Sequence, residues 1–547
     1  TRESLFAAKD ILSKRGNTNL FLPSITYLHN IQKEQFDNHL GENFPIEIIC
    51  NNNITSKLLF SVCHQLLQMR MPKSIRVKES EIYSCLNKKI KFYLDSEWVE
   101  SGPKPSKFDM KRMTAIAARV EKWHIDDVTE RMVEYKGVGG TGKTIKLLQI
   151  ANQKYEEEHK SILFLTYNWS LIVGLRLTME HMEIPYHHGE HPGIKPESCT
   201  KFFWSILTNL GYIKKEDRDL IDNNSKEFER IYQRSITSCI KDLKDIKDEE
   251  DLKSFLKANS GLDESVFSDL VIVDEGQDWM PEEQFILDKI FGYKNILVAH
   301  GDGQETRGTP TIWGKQLLKS HKREADCQKR FHTLRKAMRM RGNLGNFVKT
   351  FADLTLTNKI YEKLEANTDV LGGDIYILEG DYFQQKQLRE ELKQKRENET
   401  GDVYPIDLLH IIPPKMKVAD FNHGLSEEYI WDGVDEIKRK NLPSSEKSVR
   451  WVNYRSCRGL EGWITFNHYL DEYWEYEFNT QKIETQGSLF ENATESQKRN
   501  EAFRWILIAL TRPIDSTIIT LKNKDSELGK VLRTVHEAHS EFVHWIS

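Results

Sequence analysis

Paired cysteines are missing from this sequence. Its seven cysteines (Cys50, Cys63, Cys85, Cys199, Cys239, Cys327, Cys457) are scattered, odd in number, and form no C-x-x-C pair. That pattern excludes a disulfide frame and a paired-cysteine zinc module, and it fits thiols kept reduced in a cytoplasm. No run of about 18 apolar residues occurs, so no transmembrane helix and no membrane partner are expected. No signal-peptide pattern opens the chain, and no repeat or low-complexity tract interrupts it. Nor is there a strong excess of one charge. The net charge is -5 over 547 residues, so any nucleic-acid site must be a local basic patch. What remains is a soluble chain, 39% hydrophobic and 29% charged, long enough for about three or four domains.

The most informative stretch is Gly137-Val138-Gly139-Gly140-Thr141-Gly142-Lys143-Thr144, which fits G-x-x-x-x-G-K-[ST] in full. A loop of this kind wraps a polyphosphate. Its glycines let backbone N–H groups approach the β-phosphate, Lys143 adds charge at the β/γ oxygens, and the Thr144 hydroxyl can ligate Mg²⁺. The helix that opens at Lys143 points its positive end at the same anion. Met132–Lys136 should be the strand feeding the loop, although it is short and carries charge. Ile145, Leu147, Leu148 and Ile150 supply the apolar positions of the helix that follows.

Further short apolar runs read as buried strands: Ser161–Tyr167, Leu270–Val273, Asn295–Ala299, Asp374–Leu378, Asp407–Ile412, Val449–Val452 and Thr517–Leu521. Alternating with helical segments from roughly residue 108 to 522, they predict an α/β fold with parallel sheets. The charged stretch Lys214–Lys257 and the segment from Asp381 to about Arg396 read as solvated helices.

The run Val271-Ile272-Val273 ends in Asp274-Glu275-Gly276-Gln277-Asp278. An apolar parallel strand ending in two acids places both at the carboxyl edge of the sheet, beside the phosphate loop. Asp274 can hold Mg²⁺ through water, and Glu275 can orient and deprotonate an attacking water.

D-E-x-Q-D following G-x-x-G-T-G-K-T resembles the UvrD/Rep-like superfamily 1 helicases, whose usual form is D-E-A-Q-D. Further segments match the family's motifs in order over about residues 108 to 522. Phe164-Leu165-Thr166-Tyr167-Asn168 resembles motif Ia, which touches single-stranded nucleic acid. Gly301-Asp302-Gly303-Gln304 resembles motif III, which implies that Gln304 reads the γ-phosphate. Leu334–Arg339 resembles motif IV and Ile508–Arg512 resembles motif VI. The resemblance thus implies that Arg339 and Arg512 act on the γ-phosphate from a second sheet. Tyr454–Gly462, centred on Arg458-Gly459-Leu460-Glu461, resembles motif V and implies a ribose contact for Glu461. Gln277 would bind at the nucleotide and, with Gln304, couple its state to the grip on a strand.

The resemblance implies two RecA-like parallel-sheet lobes. Lobe 1 spans 106–330, with a helical insertion at about 185–265, and lobe 2 with a C-terminal tail spans 331–547. The implied activity is hydrolysis of ATP with Mg²⁺ by a DNA helicase or translocase on single-stranded or partly duplex DNA, in repair, recombination or defence against foreign DNA. A second function class stays open, a nucleic-acid-gated ATPase switch that signals to a partner without processive unwinding.

The chain departs from the family pattern in several places. Arg112 occupies the slot of the adenine-reading Gln, and the base-stacking aromatic before Arg307-Gly308 is missing. Trp313 is read as a core residue, with base stacking as the alternative. The 115 positions from Arg339 to Tyr454 leave little room for a large accessory domain. Tyr186-His187-His188-Gly189-Glu190-His191 is read as a polar loop, since no paired motif completes a metal site. Residues 1–105 read as a separate small α/β domain that could dock a partner protein. It has a strand at Pro45–Cys50 and a helix at Ser56–Met69, and it shows no nuclease pattern.

Overall fold

The computed structural model describes residues 25–28, 47–50 and 105–546, the last with gaps, the longest at 186–191, 218–224, 257–263, 303–311, 315–327 and 481–494. The chain divides into Thr1–Pro103 and Lys104–Ser547. Within the first unit, β1 (Ile25–Leu28) and β2 (Glu47–Cys50) pair in parallel, and β2 lies within the strand expected at Pro45–Cys50. The helix expected at Ser56–Met69 and the cluster Tyr186–His191 fall outside the described residues.

The second unit is α/β, built on two all-parallel sheets. The first sheet has β3 (Met132–Gly137), β4 (Ser161–Thr166), β5 (Gly193–Ser198), β6 (Leu270–Val273), β7 (Ile296–Gly301) and β8 (Lys329–Thr333), in spatial order β5-β4-β6-β7-β3-β8. The second sheet has β9 (Asp374–Glu379), β10 (Leu408–Ile412), β11 (Ile430–Asp432), β12 (Val449–Asn453), β13 (Gly462–Asn467), β14 (Pro513–Leu521) and β15 (Val543–Ile546). Its spatial order is β11-β12-β10-β13-β14-β9-β15.

Both sheets are covered on both faces, which explains their near-continuous apolar strands. In the first sheet, Leu163, Leu165, Val271 and Val273 pack against α4 (Cys199–Asn209), α5 (Ser225–Asp245) and α6 (Pro281–Phe291). Alternate residues Ile162, Phe164 and Ile272 face α2 (Lys143–Glu158) and α3 (Trp169–His181). In the second sheet, Ile375, Ile377, Leu409 and Ile519 face α7 (Gly342–Thr355), α9 (Leu470–Thr480), α10 (Glu495–Leu510) and α11 (Glu527–Ala538). Tyr376, Leu378 and Ile518 face α8 (Lys386–Asn398).

Several boundaries are corrected. The region expected as a helical insertion at about 185–265 begins with a strand, because β5 pairs along all of β4 despite Pro196. An edge strand tolerates proline, since one side of its backbone is unpaired. The helices α4 and α5 follow it. The first sheet runs to Thr333, past the expected boundary at 330, because β8 pairs with β3. The helix expected from Asp381 starts at Lys386, after a 3₁₀ turn at Tyr382–Gln384 that the Asp381 side chain caps.

Helix α1 (Lys107–Ala117) ties the start of this unit to the second sheet. Its N-cap Ser106 accepts from Asp109 N–H, and Ser106 Oγ donates to Asp407 Oδ1 at 2.8 Å. Asp407 also accepts from Tyr404 N–H at 2.8 Å. Burial, together with nearby Asp109, raises the Asp407 carboxyl to about 6, against those two hydrogen bonds and the Arg450 charge.

The strap Leu334–Arg341 joins the sheets and is pinned at both ends. Leu334 N–H donates to Lys136 O at 2.8 Å, and Arg341 N–H donates to Ile514 O at 3.1 Å.

Candidate active site

The glycine-rich loop leaves the carboxyl end of β3 and runs into α2. The buried charge that made β3 look weak is neutralised, because Glu134 pairs with Lys329 of β8. Gly140 and Gly142 hold φ of +83° and +84°, a left-handed conformation that side chains rarely adopt. Lys143, buried at the base of the loop, donates to Gly137 O at 2.8 Å and to Val138 O at 3.0 Å. Burial lowers its ammonium, against the pull of Glu275 and Asp274.

The acids follow β6, across β7 from the loop. Thr144 Oγ1 donates to Asp274 Oδ2 at 2.9 Å, so the two metal ligands expected from the sequence are in contact. Burial and the Glu275 charge raise the Asp274 carboxyl. Glu275 has φ +56°, a strained position for a residue with a Cβ. Burial would raise its carboxyl too, but the Arg458 guanidinium and the Lys143 ammonium hold it well below the usual range. Gln277 links the end of β6 to β7, with Nε2 donating to Glu275 Oε2 at 2.8 Å and Oε1 accepting from Gly301 N–H at 2.7 Å.

Gly276 has a packing reason. A Cβ there would lie 2.5 Å from Val298 Cγ1 and 2.9 Å from Trp313 Nε1, and Trp313 Nε1 donates to Gly276 O at 2.7 Å. Trp313 is 1% exposed and belongs to the core, so it offers no face for a base to stack on.

The second sheet meets this cluster through its arginines. Met338 and Arg339 N–H both donate to Gly140 O, at 2.9 and 3.1 Å. The Arg339 side chain donates to Glu461 Oε2 and to Thr511 O, each at 3.1 Å. Arg112 pairs with the other Glu461 oxygen at 3.4 Å. The expected ribose contact is thus held between two arginines, one of them in the slot the family fills with Gln. Arg512 is 2% exposed, and its hydrogen bonds go to neutral oxygens: Ile508 O at 2.7 Å, Thr511 Oγ1 at 2.8 Å and Leu460 O at 3.5 Å. Burial and the nearby Arg339 charge lower its guanidinium to about 10.

No protein-family model matches this chain, and no curated protein sequence matches it.

Gln304 and Arg307-Gly308 lie outside the described residues. Every other expected site residue falls on the loop, on the acids after β6, or on segments of the second sheet that contact them. Arg458 is the site residue to which the sequence assigned no role. From the turn between β12 and β13 it reaches back to Glu275, with Nε 3.2 Å from Oε1 and Nη2 3.2 Å from Oε2, and it also pairs with Asp278. Asn168, after β4, donates from Nδ2 to Ser456 O at 3.1 Å and to Arg458 O. Beside this bridge lies a cleft of about 270 Å³, lined in part by Tyr167, Trp169, Trp505, Arg439, Arg455 and Arg458.

Lys143 is the residue that could take phosphate oxygens in place of its two carbonyls, and Thr144 with Asp274 could hold a divalent cation. Mg²⁺ sites of that kind are completed by water and phosphate oxygens. Among the described residues, no group of three or more His, Cys, Asp or Glu is arranged to hold a metal, and no helix is long and apolar enough to cross a membrane.

Proposed function

We propose that this chain is an ATP-hydrolysing motor of the UvrD/Rep-like superfamily 1 type, with two RecA-like lobes that act on single-stranded nucleic acid, DNA before RNA. The observation that carries this reading is Arg512. It is a buried cation hydrogen-bonded only to neutral oxygens, and its charge is felt by Lys143 and Glu275 of the other sheet. Burying a cation is costly, and here Glu275 offsets the cost without a hydrogen bond to the guanidinium, so an anion brought into contact would be favoured. A γ-phosphate between the sheets would supply one.

The chemistry follows from the placement. Lys143 moves from its two carbonyls to the β/γ oxygens. Thr144 and Asp274 would hold a divalent cation, which would supply positive charge at the same phosphates. Glu275 accepts the proton of the attacking water as the γ-phosphoryl group passes to it, leaving ADP and phosphate. Arg339 and Arg512 stabilise the charge on the transferring group, and their planar forks suit paired phosphate oxygens. Glu461 would turn from its arginines to the ribose, and Gln277 would relay the nucleotide state to β7. The aromatic and arginine lining of the cleft suits a strand, with rings for bases and guanidinium groups for phosphates.

The second function class, an ATPase switch gated by nucleic acid, is favoured by the short run from Arg339 to Tyr454, which leaves little room for unwinding machinery.

The test is the ATP hydrolysis rate alone and with single-stranded DNA, duplex DNA or RNA, using Lys143→Ala as the inactive reference. Hydrolysis that depends on Lys143 and rises with single strands is expected. Wild-type turnover in Lys143→Ala would sink the assignment. Displacement of a protein block from a strand would favour the motor over the switch.

A further inference from the structure

Glu275 must accept a proton from water, yet both of its carboxylate oxygens face the Arg458 guanidinium, at 3.2 Å each. The same guanidinium pairs with Asp278. Arg458 therefore carries two carboxylates of the first sheet on one side chain of the second, and it is among the residues that line the cleft beside them.

We propose that Arg458 is a positioning residue that withholds Glu275 from catalysis until an anionic group of a strand enters the cleft and takes the guanidinium over. This rests on the ATPase function proposed above. The exchange is chemically matched, because a phosphodiester presents two oxygens to the same fork that now holds carboxylates. Three guanidinium groups and one carboxylate line the cleft, although Arg455 is itself paired with Glu477 at 3.0 Å. Asp278 repels a phosphate, but Arg439 and Arg455 line the same space, and Asp278 is already paired with Arg458.

The turn need not move when the side chain swings. Its backbone is hooked to the first sheet by Asn168, which donates to Ser456 O and Arg458 O. A Cβ at Gly459 would lie 2.8 Å from Leu171 Cδ2, so the turn sits closely on α3. Once released by Arg458, Glu275 would still have Oε2 held by Gln277 Nε2, which is 2.8 Å away and anchored to β7 through Gly301 N–H.

Competition for one guanidinium makes the coupling reciprocal. Weakening a carboxylate's hold on Arg458 should tighten strand binding, and removing Arg458 should loosen it.

The experiment uses the full chain and an oligothymidylate. It measures hydrolysis without the strand, hydrolysis at saturating strand, and strand affinity. Arg458→Met should raise strand-free turnover about tenfold, a partial recovery of what a positioned base contributes. It should also remove stimulation by the strand and weaken strand binding. Arg458→Lys should behave in between, since a point charge holds only one carboxylate well. Asp278→Asn removes one of the two carboxylates on Arg458 and leaves Glu275 on it, so it should lower strand-free turnover severalfold while hydrolysis at saturating oligothymidylate stays near the wild-type rate. A purely structural role for Arg458 would not split the two rates.

If Arg458→Met folds and lowers both rates together, Arg458 belongs to the chemistry and the latch is overturned. If Arg458→Met fails to fold, Asp278→Asn decides, and an unchanged strand-free rate overturns the latch alone. Absence of Lys143-dependent hydrolysis in the wild type overturns the latch together with the function it would regulate.

Discussion

Arg512→Ala tests whether the two sheets form one catalytic cleft. The Arg512 guanidinium sits 2% exposed among neutral acceptors, lowered to about 10 from its usual 12.5. That difference corresponds to a penalty of about 3 kcal/mol on the charged form. A phosphate that relieved such a penalty only in the transition state would account for about 10²-fold in rate. Charge-assisted hydrogen bonds to the transferring oxygens carry the expected effect to about 10³-fold. Nucleotide binding should stay largely intact, since Lys143 and the loop belong to the other sheet. Arg512→Lys should rescue poorly, because the fork is lost. The assay is single-turnover hydrolysis beside equilibrium binding of a fluorescent ATP analogue. Near-normal turnover with alanine at 512, or a loss of binding equal to the loss of rate, would refute a cleft closed by this residue.

Glu275→Gln should still bind ATP but hydrolyse it about 10²–10⁴-fold more slowly, as the amide cannot take the proton; loss of nucleotide binding in this variant would make Glu275 structural instead. Gly276→Ala should cost about 1–3 kcal/mol in chemical denaturation, since its Cβ meets Val298 and Trp313; an unchanged midpoint would show that this contact relaxes freely. Asp407 gives a pH dependence. Its folded carboxyl titrates near 6, above the ordinary 3.8, so its contribution to stability is full below that ordinary value and is lost as pH rises through about 6. The stability of Asp407→Asn relative to wild type should therefore improve by about 3 kcal/mol between pH 4 and pH 8. Parallel pH curves for the two proteins would show that Asp407 is not held protonated.

The fold was legible wherever burial on both faces forced apolar runs. Leu270–Val273 and Ile296–Ala299 lie in the middle of the first sheet, and their composition reveals them. The edges were not legible. Gly193–Ser198 carries Lys195, Pro196 and Glu197, and Lys329–Thr333 carries two basic residues. Each is a strand because of the neighbour it pairs with, and its own composition does not suggest one. Gly462–Asn467 begins at the last residue of the segment read for its motif, Tyr454–Gly462, and was not read as a strand.

The site divides the same way. The loop and the acid pair are contiguous in sequence and could be read directly. The Arg458–Glu275 pair joins residues 183 positions apart on different sheets, and no spacing rule reaches that far. Gly276 was visible as a departure from the family form, but its cause was not, because Val298 and Trp313 meet it only in the folded chain.

The strap between the sheets has a mechanical consequence. Gly140 O, in the middle of the glycine-rich loop, is held by the backbone N–H groups of Met338 and Arg339, two and one residues before Met340 and close to the Arg341 bond to Ile514 O. The loop and the arginine-bearing strap are therefore joined backbone to backbone, with no intervening segment between them. If the loop takes a nucleotide as proposed, a shift there would pass to the second sheet over two hydrogen bonds, by a short path that needs no long lever.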